Sequence, residues 1–306
     1  MKTLKIIHNA GFFSCCSKRL EGAVWFYNKK HTIPGAVDSS AQFSLYKSDQ
    51  SVDLTPLYFE DNSLPISYTG HINFYNEMQF FDYSDLDHKG LQLFVKKYFS
   101  PSDYVISIVD AYQKKYTIDY DNTCGVFYRG NDKSTETGIA PYQEFIMQAK
   151  KIKEQNLNIV FLVQSDETEF IEAFGKELPG FVMIEEIPHM HKKSSTIHDE
   201  LSRKDRAGFG ADFFAALLIQ AKCKYLITHS GNCGLWAVLY RGSSENVYQW
   251  LNNTWKRSDT EKFFVRLNIA YKKAFKRIVK GNKDYFLISE SISPTEDSFS
   301  KNREAA

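Results

Sequence analysis

Residues 125–134 read Gly-Val-Phe-Tyr-Arg-Gly-Asn-Asp-Lys-Ser. An apolar run ends here in a turn that carries an arginine, an aspartate and a lysine within five residues, and a helix-like pattern follows. A strand that ends in such a turn before a helix is typical of anion sites in α/β proteins, because backbone N–H groups and the helix dipole favour negative charge. Arginine adds a planar fork of donors that can grip a diphosphate. The stretch therefore predicts a site for a nucleotide or a nucleotide sugar.

Strand-like and helix-like patterns alternate on both sides of this stretch. The predicted strands are residues 4–7, 124–128, 159–163, 181–184 and 225–228, and the predicted helices are residues 14–29, 87–99, 104–116, 141–155, 168–178, 211–221 and 232–240. Continuous apolar runs in the second half are typical of buried parallel strands. The alternation therefore predicts an α/β chain with a doubly wound parallel sheet.

The sequence divides into four predicted segments. Residues 1–120 form an N-terminal domain and residues 121–260 a second domain, with the boundary in a polar stretch at 117–123. Residues 261–289 are predicted as a C-terminal region built on a long basic helix. Residues 290–306 are rich in Ser and Glu and have little to bury, so they are predicted to be disordered.

Composition narrows the class of protein further. The chain has 306 residues, a net charge of +1 and five cysteines with irregular spacing. The low charge argues against a broad nucleic-acid-binding surface, and the cysteine pattern argues against a disulfide framework or a zinc site. The sequence has no signal-peptide core and no apolar run of about 18 residues, so a cytoplasmic protein without a membrane span is expected. His189, His191 and His198 lack the spacing of metal ligands, and a loop is favoured there.

Two more loops follow predicted strands and should lie at the same sheet edge as Arg129. Asp166 and Glu167 are interpreted as a helix N-cap with a first-turn acid. The loop from Thr228 through Ser230 to Asn232 combines hydroxyls, a glycine and a helix start. Plain N-capping would explain it alone, but together with Arg129 a phosphate site is favoured.

Asp212 lies at the start of an apolar helix, where a carboxylate can accept hydrogen bonds from a ribose or a guanine. Stabilisation of the helix dipole explains an acid at this place equally well. Near the N-terminus, Gly11 lies in a loop between the first strand and the first helix. Glycine there is expected to provide backbone angles that other residues resist.

The order of these motifs resembles the superfamily of α1,6-fucosyltransferases and protein O-fucosyltransferases, which includes the rhizobial nodulation fucosyltransferases. The likeness covers about residues 121–242, and the loop around Gly11 is similar to the first Gly-rich turn of the family. The resemblance implies a GT-B fold, with two Rossmann-like domains and the active site in the cleft between them. It implies an inverting glycosyltransferase that takes fucose from GDP-fucose, needs no metal or other cofactor, and uses a hydroxyl of a glycan as acceptor.

Carried onto this chain, the resemblance gives each motif residue a role. Arg129 would hold the β-phosphate and assist departure of the leaving group. Glu136 follows the motif on the same loop, about one position before the glutamate of the family, and is the candidate base. A solvated loop acid is slightly favoured at this position, and Asp82 or Asp85 are alternative bases. The implied donor-binding residues are Gly11, Phe127, Asp132, Lys133, Asp212, Thr228, Ser230 and Asn232.

Two positions depart from the family motif: Phe127 replaces a histidine, and Gly130 replaces a second arginine. Arg203, Lys204 or Arg206 could compensate for that missing cation. The departures leave open two other hypotheses, the same fold with another nucleotide-sugar donor, or a non-catalytic protein that binds a nucleotide sugar or a glycan.

Overall fold

The computed structural model describes residues 2–130, 139–191, 206–257 and 286–290. Within these ranges the strands are β1 Lys2–Ile6, β2 Ala36–Asp38, β3 Phe59–Glu60, β4 Ser100–Pro101, β5 Thr123–Tyr128, β6 Val160–Ser165, β7 Tyr225–His229, β8 Val247–Leu251, β9 Thr254–Arg257 and β10 Phe286–Glu290. The helices are α1 Phe12–Lys30, α2 Thr55–Tyr58, α3 His88–Tyr98, α4 Asp103–Lys115, α5 Tyr142–Gln155, α6 Thr168–Glu177, α7 Arg206–Lys222 and α8 Asn232–Arg241. The predicted helices in these ranges are therefore present, with shifted ends.

A five-stranded sheet in the order β6-β5-β7-β8-β9 forms the centre of the second half. All pairs are parallel except β8 with β9, and Phe127 lies opposite Gln164 on β6 and Thr228 on β7. Every residue of β5 is buried, because helices cover both faces of the sheet. The predicted parallel sheet is confirmed.

Two parts of this sheet differ from the prediction. The strand expected at 181–184 is reduced to one bridge between Leu162 and Val182, after a left-handed turn at Gly180 with φ +80°. Strands β8 and β9 were not predicted. They form a hairpin through Asn252 and Asn253, both with positive φ, which asparagine tolerates better than most residues.

The N-terminal half contains a smaller sheet in the order β10-β1-β2. Strand β2 is parallel to β1, whereas β10 is antiparallel to it, with Leu4 opposite Ile288. The range 261–289 was predicted as a helical region, and Glu290 as part of a disordered tail, so β10 corrects both predictions at residues 286–290. The sequence Phe-Leu-Ile-Ser-Glu of β10 contains an aromatic and a β-branched residue, which are types enriched in strands. The predicted helix at 261–280 lies outside the described residues.

The two halves share one aromatic core. Phe12 and Phe13 of α1 contact Phe214 of α7, with ring centroids 5.6 and 6.2 Å apart, and Phe13 stacks on Trp236 of α8 at 6.3 Å. These rings are fully or nearly fully buried. Helices α7 and α8 precede and follow β7 of the five-stranded sheet. This core therefore packs the first half of the chain against the two helices that are connected to that sheet. None of the described helices combines the length and apolarity that a bilayer crossing requires.

Candidate functional site

A pocket lies at the carboxyl ends of β5 and β7. It is lined by Phe127 and Arg129 from β5 and its end, by Ile139, and by the continuous run 228–234. This is the sheet edge at which open α/β folds bind their ligands. The structure therefore brings together five of the residues selected from the sequence: Phe127, Arg129, Thr228, Ser230 and Asn232.

The N-terminus of α8 forms one wall of this pocket. Gly234 allows the helix to approach β7, because a Cβ at that position would lie 2.4 Å from the His229 carbonyl oxygen. The Gly231 N–H donates to the Gln79 carbonyl at 2.9 Å and the Tyr83 hydroxyl at 3.1 Å. A ligand at this helix end would therefore meet the amides from residue 232 onward. Such amides lack intrahelical partners, and the dipole there favours anions.

Among the described residues that line the pocket, Arg129 is the cation. Its Nε lies 3.5 Å from Asp166 Oδ2, and its Nη1 donates to Cys233 Sγ at 3.6 Å. The side chain keeps 28% of its surface exposed. Two neighbours on different elements thus hold the guanidinium at the pocket, where it can face an anionic ligand.

Asp166 and Glu167 do not act as the predicted cap and first-turn acid. Asp166 Oδ1 accepts from the Gly130 N–H at 2.9 Å, while its other oxygen pairs with Arg129. Glu167 occupies the N-cap position of α6 but its side chain caps nothing; it is fully buried and accepts from the Tyr142 hydroxyl at 2.7 Å. Asp166 therefore holds the peptide at 129–130 in place, whereas Glu167 is bonded to Tyr142 on α5.

Gly130, which departs from the family motif, has a steric explanation. A Cβ at this position would lie 2.1 to 2.4 Å from the three carboxyl atoms of Glu167. The Glu167 carboxyl group fills the space that any side chain at position 130 would enter. The absence of a second arginine at position 130 is thus linked to the burial of Glu167 beside it.

Phe127 is 7% exposed and packs against Phe213 of α7, with ring centroids 6.4 Å apart. Phe213 also contacts Phe13 and stacks on Phe209. Where the family has a histidine, this chain therefore has part of an aromatic wall that continues into the shared core. Such a wall can stack on a ring or pack against a sugar but donates no hydrogen bond.

The polar residues of the 228–232 run have different surroundings. Ser230 donates to the Trp250 carbonyl at 2.8 Å and accepts from Gln249 at 2.9 Å, so its hydroxyl connects β7 to β8. The Thr228 hydroxyl is buried above Gly234. Asn232, the first residue of α8, is partly exposed and accepts from Ser17. Among the three, Asn232 is placed best to contact a ligand through its side chain.

Two predicted donor-binding residues do not line the pocket. Gly11 precedes α1 with φ −57° and ψ 157°, which any residue can adopt, so the expectation of an unusual backbone conformation there was wrong. Asp212 accepts from the Tyr112 hydroxyl at 2.8 Å, and burial raises the pKa of its carboxyl group. The predicted residues Asp132, Lys133 and Glu136, and also Arg203 and Lys204, lie outside the described residues.

His229 was missed in the sequence. It is 8% exposed, lines the pocket, and its ring packs against Tyr128 and Phe145 at 4.7 and 4.5 Å. Burial and the positive charge of Arg129 lower the pKa of His229 to about 3. The imidazole is therefore neutral at physiological pH, and Arg129 supplies the charge. The signal in the sequence was a histidine at the end of an apolar strand, within the loop that was predicted to bind phosphate.

The histidines considered as metal ligands have other contacts. His189 Nδ1 lies 2.8 Å from the Thr168 hydroxyl, and His191 Nδ1 lies 3.2 Å from Glu169 Oε1. Within the described ranges, no three His, Cys, Asp or Glu side chains converge as metal ligands would. His198 lies outside those ranges.

No protein-family model and no curated protein matches the sequence. Solved structures do match in fold. The fucosyltransferase NodZ from Bradyrhizobium aligns with a TM-score of 0.54 and 11% identity, over 84% of this chain and 100% of that one. NodZ α-1,6-fucosyltransferase co-crystallised with GDP aligns with a TM-score of 0.52 and 11% identity, over 84% of this chain and 98% of that one. NodZ α-1,6-fucosyltransferase soaked with GDP-fucose aligns with a TM-score of 0.50 and 12% identity, over 83% of this chain and 98% of that one. The resemblance seen in the sequence is thus confirmed for the architecture: the chain has the GT-B fold of the NodZ fucosyltransferases.

Proposed function

We propose that this chain is an inverting glycosyltransferase that transfers fucose from GDP-fucose to a hydroxyl of a glycan acceptor. The observation that carries the proposal is Arg129, which lines a pocket beside the N-terminus of α8, at the carboxyl edge of a parallel sheet. NodZ, which has the same fold, has been crystallised with GDP and soaked with GDP-fucose.

The chemistry of sugar transfer matches this arrangement. As the glycosidic bond to the diphosphate breaks, positive charge develops at the anomeric carbon and negative charge grows on the leaving phosphate. The Arg129 guanidinium and the first-turn amides of α8 are positioned to stabilise that negative charge. Asp166 and Cys233 hold the guanidinium in advance, so little reorganisation is needed when the charge appears.

Other roles are carried over from the resemblance. Glu136 is the proposed base toward the acceptor hydroxyl, Asp132 the residue that holds the motif loop, and Lys133 a donor-binding residue. Because a cation and helix amides supply the positive charge, we propose that transfer proceeds without a metal ion. Unchanged activity after dialysis against a chelator is the expected result, and recovery only on adding Mg²⁺ or Mn²⁺ would contradict it.

Arg129→Ala tests the proposal directly. Removal of a preorganised donor to a developing anion typically lowers the rate by about 10²–10³. GDP-fucose turnover, measured as GDP release with and without a glycan mixture, should fall by that factor while the protein keeps its fold. Near-wild-type turnover by the variant would refute the role of Arg129.

A second candidate is the same reaction with a different nucleotide sugar. It is favoured by Phe127, which cannot make the hydrogen bond of the family histidine, and by Glu167, which fills the space beside Gly130. Calorimetric titration with GDP, UDP and dTDP separates the two: preference for UDP or dTDP would exclude GDP-fucose as the donor. A protein that binds GDP but neither transfers nor hydrolyses GDP-fucose would instead be a nucleotide-sugar-binding protein without catalysis.

A further inference from the structure

A chain of hydrogen bonds connects the buried core to the pocket. The Trp236 Nε1 of α8 lies 2.9 Å from Ser17 Oγ of α1, and Ser17 Oγ lies 2.6 Å from Asn232 Oδ1. Ser17 and Trp236 are both completely buried. Asn232, at the other end of the chain, lines the pocket together with Arg129.

The hydrogen-bonding capacity of each side chain determines which atom donates in these two hydrogen bonds. An indole N–H can only donate, so Ser17 Oγ accepts from Trp236. The one hydroxyl proton of Ser17 is then directed at Asn232, and the atom that receives it must be the amide oxygen. Because the oxygen and the NH₂ group leave the same carbon in different directions, the contact with Ser17 turns the NH₂ group of Asn232 away from α1.

We propose that Trp236 and Ser17 are positioning residues that orient Asn232, so that its Nδ2 donates to a phosphate oxygen of the bound nucleotide. The proposal deepens the proposed function and rests on it, since it takes a nucleoside diphosphate as the ligand. The same amide in the opposite orientation would place an acceptor oxygen against a phosphate and weaken binding. A residue of the N-terminal half thus sets the hydrogen-bonding face of the donor site.

A purely structural role of Asn232 makes a different prediction. If Asn232 served only as an acceptor for the buried Ser17 hydroxyl, Asn232→Ala would lower the thermal stability but leave the affinity for GDP unchanged, because no bond to the phosphate would be lost. If Nδ2 donates to phosphate, Asn232→Asp keeps the bond to Ser17 but puts a negative oxygen toward the phosphate. The aspartate variant is then the worse of the two.

The test is calorimetric titration of the full chain with GDP. We expect about 10-fold weaker binding for Asn232→Ala, about 100-fold or more for Asn232→Asp, and about 3- to 10-fold for Ser17→Ala. Ser107→Ala, which removes an exposed hydroxyl bonded only to Tyr104 in α4, is the matched control and should bind as the wild type does. Thermal unfolding of each variant, without nucleotide, checks that the fold is kept.

The outcomes separate the two proposals. If the wild type binds GDP but Asn232→Ala binds it equally tightly, or Asn232→Asp binds it at least as tightly as Asn232→Ala, the proposed role of Asn232, Ser17 and Trp236 is overturned and the proposed function stands. If Ser17→Ala does not fold, the order of the two Asn232 variants still decides, because Asn232 is partly exposed and its variants add no bulk. Failure of the wild type to bind any nucleoside diphosphate overturns the proposed function and the proposed role of Asn232 together.

Discussion

Gly130→Ala should destabilise the protein far more than a glycine-to-alanine change normally does. The added Cβ would lie 2.1 Å from Glu167 Cδ and Oε1 and 2.4 Å from Oε2, so the carboxyl group would have to withdraw by more than an ångström. Overpacking of a buried site costs about 1–3 kcal/mol, and weakening a hydrogen bond to a charged group such as that from Tyr142 adds about 1 kcal/mol or more. We expect a loss of about 2–4 kcal/mol in the free energy of unfolding.

A double-mutant cycle identifies the cause. Glu167→Ala removes the obstructing carboxyl group, so Gly130→Ala should cost little in that background, and the coupling energy should be about 2 kcal/mol. Gly208→Ala is the matched control, because its Cβ would meet nothing within 4 Å and helix propensity favours alanine by about 1 kcal/mol. Denaturant unfolding of the four proteins measures the cycle. Additive effects within about 0.5 kcal/mol would refute the steric link between Gly130 and Glu167.

Three further predictions follow from the site. His229 has a folded pKa of about 3 against 6.5 unfolded, so as the pH falls below 6.5 the unfolded chain binds the proton and the folded chain does not. Stability should fall by about 1.6 kcal/mol between pH 6.5 and 5, and His229→Phe should show a smaller fall in denaturant titrations. Asp166→Asn keeps an acceptor for the Gly130 N–H but removes the charge beside Arg129. Steady-state kcat/KM should therefore drop about 10-fold with little change in Tm. Unchanged kinetics would count against the role of Asp166 in positioning Arg129. Gly11→Ala should leave the Tm within about 1 °C, since its backbone angles are ordinary and its Cβ meets nothing within 4 Å; a large drop would contradict the loop geometry.

The strands and helices beside Arg129 were predictable because their burial produces apolar patterns within short stretches of sequence. β5 and β7 are short apolar runs that are almost completely buried, and α5, α6 and α8 follow β5, β6 and β7 in the chain. Strand β10 was not predictable in this way. Its pairing with β1 joins residues 280 to 288 positions apart, and no local pattern specifies such a partner.

The site shows the same division. The position of Arg129 follows from a strand end and a helix start, both local features. The need for glycine at 130 arises from Glu167, 37 positions later, and the orientation of Asn232 arises from Ser17, 215 positions earlier. Ser230 was predicted as a phosphate ligand from its loop. Its hydrogen-bond partners, Gln249 and Trp250, belong to a strand that the sequence pattern did not reveal. Long-range contacts of buried polar groups decide these roles.

The proposed function requires a nucleoside diphosphate bound between Arg129 and the N-terminus of α8. Calorimetric titration of the wild type and of Arg129→Ala with GDP and with guanosine tests this most directly. We predict that GDP binds the wild type more tightly than guanosine does, and that Arg129→Ala weakens GDP binding by about 10-fold or more while leaving guanosine unaffected. Equal affinity of the two proteins for GDP, or no advantage of GDP over guanosine, would contradict the account.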